Sequence, residues 1–191
     1  VMDRVKNENL KPYVDYIVEQ AKALLAIDSP SGYGKDVSAY LLKEVDRLGF
    51  RGWKTRKGSV MADLGGNAKE DAVLLEAHCD TLGAMVHEIK ANGHLKLTNI
   101  GGMQANNAET ENVRIITKSG KIYEGTCQLT NPSVHVNGDY KTTPRTWDSV
   151  EVIVDEDINS REEAKALGIM AGDYVCFEPR TRVTESGYIK S

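Results

Sequence analysis

The chain has 191 residues, 40% of them hydrophobic, and a formal charge of -4 with acidic and basic residues interspersed. That length suffices for one large domain or two small ones with an ordinary core, and the mixed charge offers no basic stripe of the kind a nucleic-acid backbone requires. Apolar runs such as Val73-Leu74-Leu75 fall far short of the roughly 20 residues that span a bilayer, the first residues carry no secretory apolar segment, and Cys79, Cys127 and Cys176 form no Cys-x-x-Cys pair. Reduced thiols, a cytoplasmic location and neither membrane nor nucleic acid as partner are the expectations.

Along the chain, Tyr13, Val14, Ile17, Val18, Ala21, Leu24 and Leu25 recur at three- and four-residue steps, predicting an amphipathic helix over residues 11–27. A second helix is expected over 35–48, with Val37, Leu41, Leu42, Val45 and Leu48 inward and Gly49 as its stop. Residues 52–55 and 59–64 flank a Lys57-Gly58 turn and read as a hairpin. The nearly continuous apolar run 72–77 predicts a strand buried on both faces of a parallel or mixed sheet.

Beyond Asp80 the texture changes. Short alternating segments at 84–89, 94–98, 113–117, 121–127, 150–154 and 174–177, separated by turn signals such as Asn92-Gly93 and Ser119-Gly120, predict a small β-barrel or sandwich. One helix should interrupt it over 160–167, with Ser160 as N-cap, Glu163 as its capping-box partner and Gly168 closing it. A half of helices and strands followed by an all-β half implies two domains.

The motif that carries chemistry is His78-Cys79-Asp80, placed where the apolar strand would end and where open α/β sheets tend to bind ligands. With a strand period of two, His78 and Asp80 share a face. One imidazole nitrogen could then bind a metal while the other donates to Asp80, an arrangement that fixes the tautomer. The bland reading is a polar strand end bonded to a loop. Cys79 should point the other way, into packing, and Glu76 returns to the side of His78.

Other candidates are weaker. His135 sits in a loop of the β-rich half, where it could approach a partner subunit's active site or simply be a surface residue. His87 and His94 flank the Asn92-Gly93 turn and are expected to face solvent. Glu76 and Glu88 could be read as the two acids of a polysaccharide hydrolase, although nothing in the sequence brings them together. Asp155-Glu156-Asp157 lacks the spacing of a calcium loop and reads as a solvated turn.

Context makes the motif specific. The segment Leu74-Leu75-Glu76-Ala77-His78-Cys79-Asp80-Thr81-Leu82-Gly83-Ala84-Met85-Val86, then Asn92-Gly93 and Gly101-Gly102, follows the order seen in M42 aminopeptidases, also called the glutamyl or tetrahedral aminopeptidase family. Ser160-Arg161-Glu162-Glu163-Ala164-Lys165-Ala166-Leu167-Gly168-Ile169, Gly172-Asp173-Tyr174-Val175 and Phe177-Glu178-Pro179-Arg180 resemble the passage that closes that family's inserted β-domain.

The resemblance implies an α/β fold: a partial metallo-exopeptidase catalytic domain over 1–82 and 186–191, and an inserted small β-barrel over 83–185 that mediates oligomerisation, from dimer up to dodecamer. It implies an aminopeptidase that removes N-terminal residues from peptides with two divalent metal ions, zinc or cobalt. By match His78 would be a metal ligand and Asp80 the catalytic-site residue that orients it. Thr81 stands where many relatives carry an acid. The family's bridging aspartate, glutamate pair and remaining ligands have no counterpart here, which predicts an incomplete, inactive portion. The alternatives are a non-catalytic self-association module or a polysaccharide hydrolase.

Overall fold

The computed structural model describes residues 8–67 and 70–191. By contact density the chain forms two compact units, one from residues 1–81 with 179–191 and one from 82–178.

In the first unit a short 3-10 turn, Glu8–Leu10, leads into α1 (Lys11–Leu25), whose Pro12 stands in the first turn, where its missing N–H costs nothing. A loop then reaches α2 (Lys35–Arg47). The helices are tied by Tyr16 Oη donating to Glu44 at 2.7 Å and Tyr40 Oη donating to Gln20 at 2.8 Å. The expected hairpin is present as β1 (Gly52–Lys54) antiparallel to β2 (Val60–Ala62), turning at Gly58 with a φ of +94°.

The expected buried strand over 72–77 is not formed. Residues 72–77 are irregular and exposed, with Val73 and Leu75 more than four-fifths open to solvent. A strand buried on both faces needs a neighbour on each edge for its backbone hydrogen bonds, and among the described residues none lies alongside this run. The first parallel contact comes only at Thr81, bridged to Pro30. At the C-terminal end β9 (Arg182–Val183) pairs antiparallel with β10 (Ile189–Lys190).

In the second unit β3 (Gly83–Ile89), β4 (Leu95–Ile100), β5 (Asn112–Ile116), β6 (Ile122–Leu129), β7 (Val150–Val154) and β8 (Tyr174–Phe177) close a barrel in the order β3-β4-β7-β6-β5-β8, every pairing antiparallel. The strand pattern left barrel or sandwich open and the resemblance implied a barrel, which is what forms; closure removes the free edges. Alternation supplies the filling: on β6 Tyr123, Cys127 and Leu129 point inward, joined by Leu95, Leu97, Ile115, Val152 and Val175. Each such aliphatic burial contributes about 1.5–3 kcal/mol.

Two helices pack against this barrel rather than the one expected. The unforeseen one is a single turn, α3 (Ala105–Ala108), whose alanines 105 and 108 are buried. The expected one is α4 (Arg161–Ala166), capped by Ser160 accepting from the Glu163 N–H, and it seats Ala164 in the core. Tyr123 Oη donates to the Leu167 carbonyl at 2.7 Å and holds the end of α4.

Candidate functional site

The chain runs from the end of α1 through Ser29-Pro30-Ser31, where Tyr33 N–H donates back to the Pro30 carbonyl and Gly32 takes the left-handed conformation that the tight turn needs, with φ +94°. This turn forms a pad against which residues 79–81 lie. Thr81 N–H donates to the Ser29 carbonyl at 3.1 Å, Ser29 N–H donates to Thr81 Oγ1 at 3.2 Å, and Ser29 Oγ donates to the Cys79 carbonyl at 3.0 Å. Ser29 and Pro30 are buried beneath these contacts.

Asp80 is thereby presented between two partners. Its Oδ2 accepts from Ser31 Oγ at 2.5 Å, and its Oδ1 lies 2.9 Å from His78 Nδ1. The Ser31 hydroxyl, and after it His78, hold the Asp80 carboxyl below its ordinary value, so it is ionised at neutral pH. A carboxylate only accepts, so the proton of the shared bond sits on His78 Nδ1, and in the neutral imidazole the Nε2 lone pair is then the open one. Cys79 lies between them on the half-buried side; burial, and then the charge of Asp80, raise its thiol pKa and keep it protonated.

The structure therefore brings His78 and Asp80 together on one side, as the strand period suggests. It does not place His78 in a cleft: the side chain is 86% exposed, on the irregular segment that replaces the expected strand, because the sheet that would wall it is not formed by the described residues. Glu76 is exposed on the same segment. A catalytic zinc site takes about three protein ligands and an open position. Among the described residues no group of three or more His, Cys, Asp or Glu side chains is placed to hold a metal ion. The residues present fit one ligand, not a complete centre.

The remaining candidates fall in the second unit. His135 is exposed in the 131–146 turns, His87 is exposed at the β3 bulge, and Asp155-Glu156-Asp157 is a solvated bend. Glu88 is held by Arg161 at 3.2 Å on the surface. His94 departs from the solvent-facing expectation: its Nδ1 meets Oε1 of buried Glu151 at 2.7 Å while Lys90 Nζ meets Oε2 at 2.5 Å. A carboxylate so buried requires such partners, and they draw His94 inward. Ser29, Ser31 and this Lys90-Glu151-His94 cluster were not foreseen, since their partners are some 50 to 60 residues away in sequence.

Helices and hairpin in one unit and a closed barrel in the other make a mixed α/β chain, with the His78-Asp80 pair just ahead of the barrel in sequence. The M42 glutamyl aminopeptidase family matches residues 58–191, and the chain belongs to that family. It is 40% identical over 174 residues to YhfE of Bacillus subtilis (strain 168), covering 91% of this chain and 50% of that protein. To the lysyl aminopeptidase of Pyrococcus furiosus it is 32% identical over 167 residues, covering 83% and 46%. Among solved structures, the TET aminopeptidase of a marine-sediment Thaumarchaeota archaeon gives a TM-score of 0.78 at 22% identity over 91% of this chain and 47% of that one. The Pyrococcus horikoshii TET1 peptidase, which can assemble into a tetrahedron or a large octahedral shell, gives 0.74 at 24% identity over 91% and 50%. The chain spans about half the length of the curated relatives it matches. No helix among the described residues is long and apolar enough to cross a membrane.

Proposed function

We propose that this chain is the His78-bearing half of a divalent-metal aminopeptidase that removes N-terminal residues from peptides, with His78 as a metal ligand through Nε2 and Asp80 as the residue that orients it. The carrying observation is the ionised Asp80 bonded to His78 Nδ1, which leaves Nε2 open as a ligand atom in a chain of the M42 family. Residues 1–82 with 186–191 are assigned to the catalytic α/β domain and 83–185 to a barrel inserted in it. The division into two parts is supported by the compact units, which differ in putting residues 179–185 with the first unit and residue 82 with the second, and by the pairing of Gly83 with Cys176, which sets the two ends of the barrel side by side. The two ions, zinc or cobalt, require ligands beyond the single histidine here, so turnover belongs to a polypeptide of the relatives' length. Self-association through the barrel is part of the same reading, drawn from the assembling Pyrococcus horikoshii relative and from Val134 and Val136, which stand exposed on the barrel's longest loop.

The test is hydrolysis of an aminoacyl-nitroanilide with added cobalt or zinc. The 191-residue chain should bind metal weakly and turn over nothing. The polypeptide extended to the relatives' length should be active, lose activity on His78→Ala, and lose roughly 10- to 100-fold in metal affinity on Asp80→Ala. Turnover by the 191-residue chain that disappears on His78→Ala would overturn the assignment of the remaining ligands.

A further inference from the structure

We infer that Ser31 is a positioning residue of the His78 site: by donating to Asp80 Oδ2 it turns the carboxylate so that Oδ1 faces His78 Nδ1, locking the imidazole as the Nδ1–H tautomer with Nε2 free. The inference rests on the proposed function for its meaning, and on geometry for its content.

A carboxylate on an exposed segment can rotate about its Cα–Cβ and Cβ–Cγ bonds, and a single bond to an exposed imidazole leaves both partners free to separate. Asp80 has a second, shorter bond, 2.5 Å from Ser31 Oγ, on its other oxygen. Two bonds on two oxygens fix the plane of the carboxylate, where one would let it swing. Ser31 is itself fixed by the pad. Pro30 is buried and bridged to Thr81, Ser29 holds the backbone at Cys79 and Thr81, and the Tyr33 N–H closes the turn onto the Pro30 carbonyl. The backbone that carries Ser31 is therefore held by contacts that do not involve His78, and from it the exposed hydroxyl reaches Asp80. Order flows from the turn after α1, through Ser31 and Asp80, to the imidazole. In water histidine favours the opposite tautomer, Nε2–H, which would present a proton and not a lone pair where a metal ligand is needed. The bond from Asp80 selects which nitrogen is available, and the donor from Ser31 steadies the carboxylate in the orientation that makes that bond.

The experiment is a long-range proton–nitrogen correlation spectrum of the 15N-histidine-labelled 191-residue chain without added metal, recorded at a pH alkaline enough that the imidazole is neutral, with His78 assigned from His78→Gln. The native chain should show His78 with a protonated Nδ1 and an unprotonated Nε2. Ser31→Ala should move both nitrogens toward the averaged shifts of an exchanging mixture in which Nε2–H predominates, and Ser31→Thr, which keeps the hydroxyl, should restore the native pattern. The His94 signals, fixed by Glu151 in the other unit, should stay in place, and retained slow exchange of the Thr81 amide marks the pad as folded in each variant. An Nε2–H tautomer in the native chain, or unchanged His78 nitrogens in Ser31→Ala, would overturn the inference. Zinc added to the native chain separates it from the functional reading: a locked tautomer whose Nε2 does not respond to zinc counts against His78 as a ligand, and leaves the role of Ser31 standing.

Discussion

Glu44 shows how much a residue's surroundings can do to it. Arg47 donates to it from two nitrogens at 2.6 and 2.8 Å, and Tyr16 donates from the other helix. Arg47 first, and Tyr16 second, carry its carboxyl from 4.5 down to about 2. A depressed folded-state value means that its stabilising contribution is complete above the unfolded value and is lost as the pH falls through the folded one. The thermal stability of the first unit should therefore fall between about pH 4.5 and about pH 2, and Glu44→Gln should flatten that acid limb when melting temperatures of the two chains are compared across it. Thiols show the opposite influence: burial, and then Glu109, Glu111 and Glu151, push Cys127 up to about 12, so the barrel's inner cysteine is inert.

Among the elements, the barrel strands show what their small residues are for. Gly125 on β6 faces β7, where an added Cβ would lie 2.5 Å from the Ile153 carbonyl oxygen and 3.0 Å from Val152. Backbone on one side and packed core on the other leave nothing flexible to yield. Gly125→Ala should cost the barrel about 1–3 kcal/mol, read as a lower denaturant midpoint with unchanged slope. An unchanged midpoint would show that β6 and β7 can slide apart without penalty. The helices obey local rules more closely. Ser160 caps α4 as its sequence predicts, with Glu163 returning both to the Asn159 N–H and to Ser160's own N–H.

For the whole molecule the question is which parts stand alone. The barrel is closed, filled by its own side chains, and begins and ends on paired strands, Gly83 against Cys176. Residues 82–178 expressed alone should fold and melt cooperatively, as followed by circular dichroism; a non-cooperative melt would mean that the barrel needs the rest of the chain. The first unit differs. Tyr13 and Ile17 on one face of α1, and Val73, Leu74 and Leu75 beyond the hairpin, are exposed apolar side chains that its own described residues do not cover.

Periodicity made α1, α2, the hairpin, the six barrel strands and α4 legible, because a helix stripe or a half-buried strand writes its period into neighbouring residues. His78 and Asp80 were legible for the same reason, as alternate residues of one extended run with a family's order of residues around them. The exposure of residues 72–77 and the link from Ser31 to Asp80 were not, and closure into a barrel came from the family resemblance and not from periodicity. The apolar run announces that it needs cover, but the cover is a matter of which other segments lie beside it. Ser31 is 49 residues from Asp80, and the turn that joins them is made by a buried proline and backbone hydrogen bonds that leave no period in the sequence. Local sequence determined the periodic helices and strands; only the tertiary structure decided whether the apolar run 72–77 becomes a strand and which side chains meet, because both are set by how the elements pack and not by their spacing along the chain.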